Sequence, residues 1–99
     1  MNITAQEARE IMDTEEGYII LDVRTQAEYD EKHIPGAILI PDYEIKERAE
    51  EELTDKDQLI LVYCRSGRRS KLAAEALVEL GYTNIKEFGG IIDWPYEVE

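Results

Sequence analysis

The sequence predicts an α/β fold, a doubly wound parallel sheet with helices on both faces, and three observations predict it. Short apolar runs of strand type alternate with segments of helical periodicity along the 99 residues, the order that builds strand–helix–strand units. One run, LILVY at residues 59–63, is almost continuously apolar, as strands covered on both faces are. The pattern Thr-x-x-Glu occurs twice, at Thr4 with Glu7 and at Thr25 with Glu28, and each marks the start of a helix.

In chain order, the first capping pattern predicts a helix over about residues 5–12. YIILDV (18–23) is a strand, and the second capping pattern opens a short helix in TQAEYDEKH. A Pro-Gly turn precedes a strand over residues 37–40, which Pro41 ends. DYEIKERAEEEL is a polar surface helix. After the strand at 59–63, SKLAAEALVELG is the clearest helix of the chain, apolar at positions 72, 73, 76, 77 and 80 and stopped by Gly81. TNIKEF reads as a strand and GGIIDW as a turn with a short helix.

The length suffices for one core, so residues 1–99 are expected to form one domain. Repeats, low-complexity tracts and linkers are absent from the sequence. A content of 43% hydrophobic and 34% charged residues is that of a globular chain rather than a disordered one. The formal net charge of -12 argues against nucleic acid as a partner, because phosphate binding needs a basic face. The opening MNITAQEARE has neither the basic nor the apolar region of a signal peptide, and the run LILVYC is too short to cross a bilayer. The expectation is a cytoplasmic protein with no membrane partner. A single cysteine forms no internal disulfide and leaves no resolving thiol. Glu50, Glu51 and Glu52 are consecutive on a helix and point in different directions, so they do not converge on a metal. No cofactor or metal is expected.

That one cysteine, Cys64, sits where ligands of such sheets bind, beyond the carboxyl end of a strand and just before a helix from about Ser70. Four of the chain's 11 lysines and arginines follow it at once: Arg65, Arg68, Arg69 and Lys71. Helix N-termini present unpaired N–H groups and the positive end of the macrodipole, and Gly67 lets the loop curl around an anion. In such surroundings a thiol pKa falls from about 8.5 to roughly 3.5–7.5, which makes a nucleophile. A lone cysteine is by default a small buried hydrophobe; the coincidence of strand end, glycine loop, helix start and cations reverses that default here. Surface arginines by default only solvate a helix face, so each of the three is weaker as a sign of binding than the cysteine. His33, beside the Pro-Gly turn, reads as structural, and Asp22 and Arg24 as a pair bracing a strand end.

Spacing separates two kinds of enzyme with a cysteine on such a loop. A tyrosine-phosphatase loop, C-x5-R, would need arginine at position 70, which is serine. The shorter C-x-x-G-x-R of CRSGRR resembles the active loop of the rhodanese family of sulfurtransferases. LDVRTQAEYDEKHIPGAILIP is similar to that family's first signature through Asp22, Arg24, Glu28 and the turn at 33–36, and FGGIIDW is similar to its closing segment through Gly89, Gly90 and Trp94. The resemblance implies a three-layer α/β/α fold with a five-stranded parallel sheet. It implies a Cys64 persulfide, a substrate cradle of Arg65, Ser66, Gly67, Arg68 and Arg69, and Asp22, Arg24 and His33 in support. It also implies a small anionic sulfur donor such as thiosulfate, and a thiol, cyanide or protein acceptor. Lys32 and Arg68 depart from the usual residues at their positions, and the second makes the loop unusually cationic. A non-catalytic docking module of the same family is the main alternative; an arsenate reductase would want a second cysteine.

Overall fold

Both Thr-x-x-Glu patterns close as full capping boxes in the computed structural model, which describes residues 2–99. Thr4 Oγ1 accepts from the Glu7 N–H at 3.0 Å while Glu7 returns a carboxylate to the Thr4 N–H at 2.9 Å. This opens helix α1 (Ala5–Thr14), which runs two residues beyond the expected end. Thr25 and Glu28 do the same for α2 (Gln26–Glu31). Between them lies strand β1 (Ile19–Asp22), and β2 (Ile38–Leu39) follows α2. The polar segment divides into a 3-10 turn (Asp42–Glu44) and helix α3 (Ile45–Glu52). On α3, Glu50 pairs with Lys56 at 2.6 Å and Glu52 with Arg48 at 2.6 Å, so these acids go to separate cations. Strand β3 (Ile60–Cys64) is buried at every position, as its apolar run demands. Helix α4 (Arg68–Glu79), strand β4 (Ile85–Gly90) and a 3-10 turn (Ile91–Asp93) complete the fold.

The sheet is parallel in the order β2-β1-β3-β4. It has four strands among the described residues, which corrects the expectation of five. The fifth place, beside β4, is taken by a single parallel bridge from Asn2 to Glu87 and one bond from the Ile3 N–H to the Glu87 carbonyl at 2.8 Å. Thr4 already caps α1, so the chain leaves the extended conformation after one bridge. Among the described residues no helix is long and apolar enough to cross a membrane.

Alternation along the strands sends side chains to two cores. Leu21, Ile60, Val62 and Ile85 pack with Ala49 of α3, Leu53 at its end, and Ala73 and Leu77 of α4 on one face. Ile20, Leu61, Tyr63 and Phe88 pack with Ala8 of α1, Ile91 and Trp94 on the other. This is the helix–sheet–helix layering expected of a doubly wound sheet. Its carboxyl edge is tied by a buried network: Arg24 donates Nη2–H to Asp22 Oδ2 at 2.7 Å and to the Lys32 carbonyl at 2.6 Å. The Tyr63 hydroxyl donates to Asp22 Oδ2 at 2.6 Å and accepts from the Ile34 N–H at 3.1 Å. Asp22 and Arg24 thus brace the end of β1, and Tyr63 joins that brace to the strand that carries Cys64.

Candidate active site

Strand β3 delivers Cys64 to the carboxyl edge of the sheet, and the three residues 65–67 turn the chain into α4, which starts at Arg68, two residues earlier than expected. Gly67 makes the turn at φ 108°, a left-handed conformation that glycine takes without cost. The turn is backed by Gly90, which pairs with Cys64 where the β3–β4 register shifts. A methyl group on Gly90 would overlap the Arg65 carbonyl and the Ser66 Cα, so the close approach of these two backbones requires glycine there.

The sulfur of Cys64 is buried, with the residue 1% exposed. Its Sγ accepts from the Gly67 N–H at 3.0 Å and lies 3.5 Å from Ser70 Oγ. Burial pushes the thiol pKa up, but the Ser70 hydroxyl and the N–H groups of Ser70, Gly67 and Ser66 outweigh it, and the net shift is downward. Ionisation of Cys64 is therefore favoured by groups placed before any substrate arrives, which is the geometry of a preorganised anion site.

The four cations that follow Cys64 in sequence part company in space. Arg69 is bound by Glu28 of α2, Nη1 to Oε1 at 2.8 Å and Nη2 to Oε2 at 2.9 Å. The Arg69 guanidinium, the largest influence, holds the Glu28 carboxyl down to about 2. Lys71 lines a separate cleft with Asn2, Ala74, Glu75, Val78 and Glu87. Arg65 and Arg68 are exposed and make no ion pair among the described residues. Ser66 is exposed at the tip of the loop. Arg65 also stands at the edge of a cleft of about 260 Å³ shared with Arg24, Glu28, Lys32 and Ile92.

His33 faces away from this loop in its contacts. Its ring stacks on Tyr29 at 3.9 Å between centroids, its Nδ1 meets the Tyr29 carbonyl at 2.9 Å, and its Nε2 approaches the Glu99 carboxylate at 3.6 Å.

Sequence reasoning missed Glu87. Its residue is 5% exposed, and its Oε2 accepts from the Ser70 hydroxyl at 2.7 Å and the Gly89 N–H at 2.6 Å. The signal was present: strand alternation puts Glu87 on the same face as Ile85, toward α4.

A parallel α/β sheet with a thiol cradled by loop N–H groups at the carboxyl end of an inner strand defines a cysteine-loop domain. The chain belongs to the family described as Rhodanese-like domain, whose model matches residues 4–95. It is 44% identical over 73 residues to the thiosulfate sulfurtransferase PspE of Escherichia coli, covering 74% of this chain and 70% of that protein. It is 37% identical to the putative sulfur carrier protein YrkF of Bacillus subtilis, covering 98% of this chain but only 52% of that longer relative. Among solved structures it resembles a rhodanese with anions from E. coli, with a TM-score of 0.77 and 39% identity over 83% of this chain and 96% of that one. It also resembles a rhodanese-related protein from Thermoplasma volcanium, with a TM-score of 0.83 and 32% identity over 99% of this chain and 96% of that one.

Proposed function

We propose that this protein is a sulfurtransferase that moves sulfane sulfur from thiosulfate, or a similar small anionic donor, to a nucleophilic acceptor through a persulfide on Cys64. The observation that carries this reading is the Cys64 cradle, in which the Gly67 N–H and Ser70 face a buried sulfur whose pKa is lowered. The names of the relatives supply the class of chemistry.

The Cys64 thiolate attacks the outer sulfur of thiosulfate, the sulfur–sulfur bond of the donor breaks, and sulfite leaves with its electron pair. The enzyme then holds Cys64–S–S⁻, which the loop N–H groups stabilise. Arg65 and Arg68, which make no ion pair among the described residues, draw the dianion to the loop. Arg69, with both terminal nitrogens on Glu28, holds the loop against α2 and adds its charge from behind. A thiol, cyanide or protein acceptor attacks the outer sulfur and returns the thiolate. With no second cysteine the persulfide is not resolved internally, so the protein hands sulfur outward. A reducing cytoplasm is the compartment that suits this chemistry.

The phosphatase alternative fails on position 70. Ser70 is fully buried and bonded to Glu87, so the place of a phosphate-clamping arginine is occupied by part of the loop's own support. Intact mass after incubation with thiosulfate tests the reading. A gain of about 32 Da that reducing thiols remove is expected, and Cys64→Ser loses both the gain and turnover. Transfer above background by that variant would refute the assignment.

A further inference from the structure

The cleft of about 260 Å³ beside Arg65 is walled by the end of α2 on one side and by the 3-10 turn after β4 on the other. It adjoins the Cys64 loop through bonds already in place. Gly90 pairs with Cys64 across the sheet, and two residues on, the Ile92 N–H donates to the Arg65 carbonyl at 3.2 Å. Ile91 is buried in the core beneath, while Ile92 is 58% exposed and gives the cleft an apolar wall.

Five charged residues line this cleft, and bonds made elsewhere commit two of them. Arg24 is buried against Asp22, and both Glu28 oxygens accept from Arg69. Arg65, Lys32 and Glu31 are exposed, and none of the three makes an ion pair among the described residues. Lys32 is held by its main chain alone: its N–H donates to the Glu28 carbonyl at 3.2 Å and its carbonyl accepts from Arg24 at 2.6 Å. A lysine just past a helix end gains something from the helix dipole without any ligand. That gain does not explain why a second uncommitted cation, Arg65, reaches the same space from a separate element.

Thiosulfate has no apolar part for Ile92 to cover. A thiol that carries a carboxylate matches the cleft better, with an anion for Lys32 and Arg65 and a methylene stem for the isoleucine wall. We propose that this cleft is the acceptor subsite, that it takes small carboxylate-bearing thiols, and that Lys32 sets this preference while Glu31 opposes it. The proposal rests on the sulfurtransferase reading. The acceptor sulfur attacks the outer sulfur of Cys64–S–S⁻, the bond between the two persulfide sulfurs breaks, and Cys64 leaves as the thiolate with the electron pair. The acceptor's thiol proton passes to the transferred sulfur. The product is an acceptor hydropersulfide, and charge and protons balance with no other reactant.

The test loads Cys64 with thiosulfate, removes the excess donor, and follows loss of the added mass of about 32 Da by intact mass spectrometry. The loaded protein is mixed with 3-mercaptopropionate or with 2-mercaptoethanol at one pH and one ionic strength. These thiols differ in carrying a carboxylate or a neutral hydroxyl, and the ratio of their rates per loaded molecule cancels general damage to the fold or the loop. Lys32→Gln should lower that ratio about threefold, the change an exposed ion pair supports. Glu31→Gln should raise it by a similar factor, and Lys32→Arg should hold it. A ratio unchanged in Lys32→Gln, or one that falls equally in Lys32→Arg, would overturn the proposal. Failure of thiosulfate to load Cys64 is read at the first step, and it would remove the sulfurtransferase assignment and the subsite with it.

Discussion

Arg69 and Glu28 meet through two parallel contacts of 2.8 and 2.9 Å across 41 residues of sequence, so the first turn of α4, just past the Cys64 loop, is pinned to the first turn of α2. Glu28 Oε1 at the same time accepts from the Thr25 N–H at 3.0 Å, so one carboxylate serves both the capping box and the loop. Arg69 is thereby a different kind of residue from Arg65 and Arg68. Alanine at Arg65 or Arg68 should raise the KM for thiosulfate very roughly tenfold, the loss of one charge-assisted contact of about 1.5 kcal/mol. Alanine at Arg69 should lower thermal stability as well as activity, because Glu28 is left half-buried without its partner. Steady-state kinetics beside thermal unfolding separate the two behaviours, and an unchanged KM in both Arg65→Ala and Arg68→Ala would remove them from donor binding.

The same pair sets an acid window. The Glu28 carboxyl is held at about 2 in the folded protein, chiefly by Arg69, against an ordinary value of 4.5. A depressed carboxyl contributes stability that is fully present above its unfolded pKa and lost as pH falls through the folded one. The stability difference between wild type and Glu28→Gln should therefore be constant above about pH 4.5 and shrink progressively toward pH 2. Urea unfolding midpoints of both proteins at stepped pH measure it.

Cys64 ionises more readily than a free thiol because its N–H and hydroxyl neighbours outweigh its burial. The rate of alkylation by iodoacetamide follows the thiolate. Plotted against pH, it should level off at lower pH for Cys64 than for free cysteine. Ser70→Ala removes one donor and should move that inflection upward. An inflection at or above that of free cysteine would contradict the cradle.

Gly90 carries a steric prediction. Alanine there would push on the Arg65 carbonyl and Ser66 Cα, which are backbone and cannot swing aside. Gly90→Ala should displace the Cys64 loop, with a loss of sulfur transfer larger than its loss of stability. Alanine at Gly17, where nothing lies within 4 Å but φ is 75°, provides the control: strain without displacement of the loop. Activity per folded molecule, with folding followed by circular dichroism, distinguishes the two variants.

The features legible in the sequence are those made by near neighbours. The two capping boxes join residues three apart, so Thr4 with Glu7 and Thr25 with Glu28 declare their helices by spacing alone. The continuous apolar run of β3 announced its burial, and the contiguous CRSGRR placed thiol, glycine and cations on one loop. The Asp22–Arg24 brace was readable for the same reason, two residues apart across the end of β1.

Tertiary structure alone decided what those residues meet. A five-stranded sheet was the family expectation, but the capping of α1 by Thr4 stops the edge segment after one bridge, a competition between local capping and a long-range ladder. A run of four cations beside the thiol looked uniform in sequence. The packing of α2 against the first turn of α4 gives Arg69 to Glu28, and Lys71 lines a different cleft, with Asn2, Glu75 and Glu87. Glu87 lies opposite Val62 in the β3–β4 register, and only that register, with α4 laid across it, brings its carboxylate under Ser70. Local spacing encodes bonds within a turn of helix or along one strand; which charges stay free and which become committed depends on the register of strands and the seating of helices, and those are settled by the whole core at once.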